Sequence, residues 1–145
     1  MKDSGGPYLG MAVFCERTLE EKDGVMSIIR VIDRLTISVR GPEVPDSMPP
    51  GQVSLTAIVL LKAGRAKGRH KITIRPEKPS GDFLPPADTP VLLEGEDRGV
   101  NLVVQTSIQV DQEGLYWFSV ILDDDQLLTR IPLRIVYHPV RSSSS

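Results

Sequence analysis

The stretch NLVVQTSIQVDQEGLYWFSVILDDDQLLTRIPLRIVY, Asn101 to Tyr137, decides the fold class. Leu102, Val104, Ile108 and Val110 fall on one face of an extended chain, and Asn101, Gln105, Ser107 and Gln109 on the other. That period of two is the signature of a half-buried strand. Asp111–Gly114 reads as a turn. Leu115–Leu122 is apolar on both faces, as a central strand of a sandwich can be. Asp123–Gln126 is a tight acidic turn. Leu127–Tyr137 returns with Leu127, Ile131, Leu133, Ile135 and Tyr137 inward and Arg130 and Arg134 outward. Pro132 has no N–H for a ladder, which predicts an edge position or a bulge.

The same pattern extends toward the N-terminus. Leu9–Glu16 is a first strand, and Glu20–Gly24 a charged turn closing on the hairpin dipeptide Asp23-Gly24. Val25–Val39 is one long or broken strand whose odd positions are apolar apart from Ser27 and Asp33. Asp33 marks a bulge or bend where the chain changes register or sheet. Ile28, Ile29, Ile32 and Leu35 roughly fit a helical period, but the wealth of Ile, Val and Thr favours strand. Gly41–Gly51, with four prolines, and Pro76–Pro90 are long loops. Between them Gln52–Lys62 and His70–Arg75 alternate as strands, with Ala63–Gly68 as the turn. Val91–Glu94 is a short strand. About eight strands and no helical crossover predict an all-β, antiparallel two-sheet sandwich, immunoglobulin-like or Greek-key, with the proline-rich loops as the Greek-key connections. Residues 1–140 form the single domain, and Arg141–Ser145 a polar tail expected to be disordered.

Two resemblances follow from particular residues. Asp111-Gln-Glu-Gly-Leu-Tyr-Trp-Phe-Ser-Val resembles the turn and strand of immunoglobulin-like sandwiches, where an acidic turn and a Gly precede a Tyr that can form a tyrosine corner. Tyr116 is the matching position, although the acidic residue lies one place farther off, and no Cys…Trp…Cys framework accompanies it. More widely, Ala12-Val-Phe-Cys-Glu with Gly24-Val-Met-Ser-Ile-Ile-Arg-Val-Ile-Asp, Gly95-Glu-Asp-Arg-Gly-Val-Asn-Leu, and Gly114-Leu-Tyr-Trp-Phe with Ile131-Pro-Leu-Arg resemble a family of small uncharacterised bacterial proteins. The resemblance implies a bacterial, cytoplasmic β-sandwich and carries no activity or catalytic residues.

Composition narrows the function classes. A chain of 145 residues can bury a core without disulfides or metals. A net charge of −2 makes no case for nucleic acid or an acidic substrate. The single cysteine, Cys15, lies in an apolar stretch and reads as a buried structural thiol. The N-terminus lacks the apolar core of a signal peptide, and no apolar run is long enough to span a membrane. Cytoplasmic location is the resulting expectation.

No catalytic, metal or cofactor motif stands out. G-x-S-x-G, phosphate loops and dinucleotide fingerprints are absent. Acidic residues cluster at Asp82 and Asp88, Glu94–Asp97 and Asp123–Asp125, but the calcium-loop pattern is missing and hairpin turns are commonly acidic. A carboxylate pair from Glu94, Glu96 and Asp97 would need a defined separation across a cleft. His70 shares a strand face with Ile72 and Ile74, so it reads as an inward or rim residue rather than a base.

Two surfaces remain. Lys62, Arg65, Lys67, Arg69, Lys71, Arg75 and Lys78 load one hairpin with cations against Glu77 alone. They could hold an anion, or serve as a solvated edge that resists aggregation. Nucleic acid is disfavoured, because no aromatic residue interleaves them for stacking. The second surface carries Trp117 with Leu115 and Ile121, facing away from the core if Tyr116, Phe118, Val120 and Leu122 face in. A loop or an interface must cover it. The leading expectation is a non-catalytic binding or interaction module, with a protein partner or a second copy on Trp117, Leu115, Arg65, Lys67, Arg69 and Lys71, and with no cofactor, metal or membrane. The alternatives are a small ligand-binding domain or enzyme with its site in the loops at one end, or an anion-binding module using residues 62–78.

Overall fold

The computed structural model describes residues 5–141 apart from Asp97. The serine tail beyond Arg141, and the part of the N-terminus that carries Lys2, lie outside the described residues. Nine strands are present among the described residues, with no helix: β1 (Tyr8–Glu20), β2 (Met26–Ile32), β3 (Arg34–Gly41), β4 (Gly51–Lys62), β5 (Lys67–Glu77), β6 (Ala87–Glu94), β7 (Gly99–Val110), β8 (Gly114–Leu122) and β9 (Gln126–Arg141). They form a four-stranded sheet in the order β2-β1-β4-β7 and a five-stranded sheet in the order β3-β9-β8-β5-β6. The order β6-β5-β8-β9 is that of strands C′, C, F and G in a variable-type immunoglobulin sandwich, with β4 and β7 in the places of B and E.

The core lies where the apolar faces of the two sheets meet. Phe14 from β1 packs edge-on against Phe118 from β8, with ring centroids 4.6 Å apart, an arrangement that aligns positive ring edge with negative face. Val59, Leu61, Ile72, Ile74, Leu93, Val110, Leu133 and Ile135 are buried around them. Met48 from the 42–50 loop joins the same cluster. Tyr137 pins that loop, because its hydroxyl donates to the Pro45 carbonyl at 2.7 Å. Cys15 is 1% exposed, and burial pushes its thiol pKa up.

The break at Asp33 is real and switches sheets. β2 pairs with β1 in one sheet, and β3 with β9 in the other. The Asp33 carbonyl accepts from Arg134 N–H at 3.0 Å, so β3 docks at once on leaving the bend. Within β2 the odd-position face does not persist. Val31 is 63% exposed, while Ile32 packs on the core. Arg30, in the left-handed region at φ 56°, drops out of the ladder, while the register is the same on both sides of it.

Several expectations need correction. The sandwich is not wholly antiparallel: β3 runs parallel to β9, Arg34 opposite Arg134 through Gly41 opposite Arg141. No local crossover is needed, because the intervening chain builds most of both sheets. Arg141 therefore belongs to β9 rather than to a tail. The 42–50 loop does cross between sheets, but the 78–86 loop joins β5 to its antiparallel neighbour β6 and is a long hairpin connection. Pro90 does not end the loop; it sits within β6, an edge strand, where proline is tolerated. Pro132 lies opposite Trp117, short of the point where β3 begins to pair, so β9 has one neighbour there. Leu127 is 56% exposed on the outer face, because the register shift after Val120 sets it opposite Ile121.

Candidate functional site

Strand alternation brings both sequence-predicted surfaces to one place, the outer face of the five-stranded sheet. On β5 Ile72 and Ile74 are buried, which turns Arg69, Lys71, Thr73, Arg75 and Glu77 outward. On β8 Tyr116, Phe118, Val120 and Leu122 are buried, which turns Leu115, Trp117, Ser119 and Ile121 outward. The register sets Glu77 beside Trp117, Arg75 beside Ser119 and Thr73 beside Ile121. Arg65 instead lies in the turn before β5, where its N–H donates to the Gly5 carbonyl. Leu115 lies opposite Arg134, away from the other named residues.

The basic hairpin is partly neutralised in place. Lys71 Nζ is 2.7 Å from Asp124 and 3.9 Å from Asp88, and its pKa rises chiefly through the Asp124 hydrogen bond. Lys78 Nζ is 2.9 Å from Asp111. Lys67 lies opposite Glu94, whose carboxylate is held by Arg98 at 2.9 Å, and its stem lies over Gly95. Arg69 faces Leu92 and lines a shallow hollow with Pro90.

The acidic turn after β8 has a structural partner. Asp123 and Asp124 both take left-handed conformations, at φ 52° and 68°, which Asp tolerates in hairpin tips. There Asp123 accepts from His70 Nδ1 at 2.6 Å and from the Lys71 N–H at 2.9 Å. The other ring nitrogen, Nε2, is 3.1 Å from the Lys67 carbonyl. With acceptors at both nitrogens the imidazolium is favoured, and the His70 pKa is raised, first by Asp123. Burial pulls the Asp123 pKa upward, but hydrogen bonds from His70 and Lys71 outweigh it and the net shift is downward. Among the described residues no group of three His, Cys, Asp or Glu side chains is placed to hold a metal ion.

Farther along the same face lies a cleft of about 320 Å³. Arg75, Ser119 and Ile121 form its floor, with Glu77, Phe83, Leu127 and Arg130 around it and Asp124 and Asp125 at the hairpin end. Arg130 lies over the Trp117 ring at 4.4 Å and bonds Glu77 at 3.2 Å. Trp117 is therefore covered by an arginine from its own sheet. Arg75 lies over the Phe83 ring at 4.3 Å, but its Nε is buried without a hydrogen-bond partner. Among the described residues Arg75 forms no ion pair. An unpaired buried donor costs about 1–3 kcal/mol, more when charged.

Phe83 and Arg130 escape a reading of the sequence. Phe83 reaches the face only through the bridge it makes to Glu77 across the 78–86 loop. Arg130 was legible as outward-facing, but its partners come from β5 and β8. The one available signal was Arg75 itself, an arginine on the face opposite Ile72 and Ile74.

The β-glucosidase from Listeria innocua, recorded without and with glucose, superposes with a TM-score of 0.49 at 13% identity over 75% of this chain, which spans 15% of that protein's length. An immunoglobulin-like protein from Pseudomonas aeruginosa superposes with a TM-score of 0.42 at 10% identity, covering 90% of this chain and 96% of that one. Among curated proteins none matches this sequence. The profile of a family of unknown function, DUF6941, matches residues 10–136.

Proposed function

The chain belongs to that family of unknown function, and we propose that it is a non-catalytic binding module that recognises an acidic group in the cleft between Arg75 and Arg130. One observation carries the reading: the Arg75 guanidinium lines the cleft, is held in orientation over the Phe83 ring, and forms no ion pair among the described residues. A planar guanidinium presents paired donors that match a carboxylate, and a stacked one has already lost much of its rotamer freedom. Ser119 stands across the ladder from it and lines the same cleft. Ile121, Leu127 and Phe83 give the ligand an apolar wall. Arg130, bonded to Glu77, adds field without competing for the same role.

The catalytic alternative has less to draw on. His70 is held by Asp123 and Lys67 and does not line the cleft. The anion reading of residues 62–78 is weakened by the aspartates beside Lys71 and Lys78.

The test is a titration of the isotopically labelled protein with a tripeptide bearing a free C-terminal carboxylate, and with its amide. The carboxylate is expected to shift the Arg75 Nε–H and the backbone amides of Ser119, Ile121 and Phe83, while the amide does not. Arg75→Gln is expected to weaken that response about tenfold, which corresponds to the loss of roughly one charged hydrogen bond. Equal responses from carboxylate and amide, or from Arg75→Gln and the parent protein, would end the proposal.

A further inference from the structure

We propose that the β7 edge of the four-stranded sheet is a self-recognition surface, along which a second copy of this chain adds antiparallel across a two-fold axis. The two sheets have four edge strands, β2, β7, β3 and β6. Edge strands expose unpaired N–H and C=O groups, and monomeric proteins blunt them with charge, proline or a bulge. Three of the four are blunted here. β2 carries Arg30, whose left-handed conformation interrupts its ladder opposite Glu16. β3 carries Arg34 and Arg40, and β6 carries Asp88, Pro90 and Glu94.

β7 has none of these devices. Gly-Val-Asn-Leu-Val-Val-Gln-Thr-Ser-Ile-Gln-Val contains no charged residue and no proline. All twelve residues pair with β4 in unbroken register, Gly51 opposite Val110 through Lys62 opposite Gly99. The far side of the strand is therefore a straight, regular row of backbone donors and acceptors. The nearest charges in sequence, Arg98 and Asp111, lie just beyond its two ends.

This strand suits its own copy in particular. In a two-fold antiparallel pair each residue meets a residue of the same strand, so any charge near the axis meets a like charge. Period-two facing also requires that paired residues share a parity. With Gln105 on the axis, Asn101 meets Gln109 and Val103 meets Ser107 on the outer face. On the core-facing side Val100 meets Val110, Leu102 meets Ile108 and Val104 meets Thr106. On the core-facing side apolar positions thus meet apolar or β-branched ones, and on the outer face Asn101 meets Gln109 and Gln105 meets itself, with Val103 opposite the small Ser107, along eleven residues. The result is one continuous eight-stranded sheet, in which main-chain hydrogen bonds supply affinity and side-chain matching supplies register.

The measurement is the solution mass of the full chain as its concentration is raised. The 16.0 kDa chain is expected to move to twice that mass, and its β7 amides to gain hydrogen-exchange protection in step. Gln105→Lys places two ammonium groups at the axis and is expected to weaken the association at least tenfold. Ser107→Lys, which keeps the bond that Thr56 donates to Gln105 and gives up the one that Gln52 donates to Ser107, also weakens the association if β7 is the contact. Arg75→Gln dimerises like the parent protein, so this proposal and the carboxylate site fail separately. A parent protein that stays at the mass of one chain throughout, or dimers that survive both lysine variants, would overturn it, even if an unrelated extended peptide occupied the edge.

Discussion

At the scale of single residues, His70 and Asp123 form a charge-assisted bond whose strength depends on pH. The His70 pKa is raised in the fold, so its contribution to stability is complete below the ordinary imidazole range and disappears as pH rises through the raised value. The Asp123 pKa is lowered, so its contribution is complete above the ordinary carboxylate range and disappears as pH falls through the lowered value. The pair is therefore strongest between those limits. Both side chains are partly exposed, so its worth is about 1 kcal/mol. His70→Gln is expected to cost that amount at about pH 5, with the difference from the parent protein closing toward about pH 9. Chemical denaturation across that range checks it, and a constant difference would show that shape rather than charge is responsible. His70 as a satisfied rim residue was legible, because it shares a strand face with Ile72 and Ile74. Its partner was not, since Asp123 arrives from a hairpin more than fifty residues on.

At the scale of elements, the connection from β7 to β8 is a tyrosine corner. Tyr116 is fully buried, and its hydroxyl donates to the Gln112 carbonyl at 2.8 Å and accepts from the Gln112 N–H at 3.3 Å. Gly114, at φ 131°, lies so close to Pro79 that a β-carbon would stand 2.9 Å from the ring. Beside them Glu113 accepts from the Tyr137 N–H at 2.8 Å, tying the corner to β9. Tyr116→Phe keeps the ring and strands both Gln112 groups, at an expected cost of about 1–2 kcal/mol in equilibrium unfolding. The residues of this corner were readable, as were nearly all strands, because alternation and turn residues are local properties. Strand direction was not. Leu35, Ile37 and Val39 alternate identically whether β3 runs with β9 or against it, and only the sheet switch at Asp33 settles which. The cleft was hidden for the same reason: Arg75 and Phe83 meet through a loop closure that no periodicity encodes.

At the scale of the whole molecule, the pairing of β3 with β9 joins residues 34 and 134, and β4 pairs with both β1 and β7. Such distant pairings place folding in the millisecond-to-second range typical of sandwiches, because loop closure must precede most contacts. Stopped-flow refolding in dilute denaturant checks this; completion within microseconds would contradict it. Both outward-facing proposals draw on this frame. The carboxylate cleft uses the outer face of one sheet, and self-recognition uses the free edge of the other, so one copy could do both at once.

Cys15 gives the molecule a clock of its own. It is buried in β1, with Thr56 of β4 and Val31 of β2 as its neighbours across the ladders, and burial keeps it as the unreactive thiol. A coloured disulfide reagent can reach it only when that sheet parts, and with one cysteine in the sequence each chain releases one molecule of dye. At reagent concentrations high enough that labelling outpaces reclosing, the rate of colour change in plain buffer would therefore time that opening without added tags, heat or denaturant.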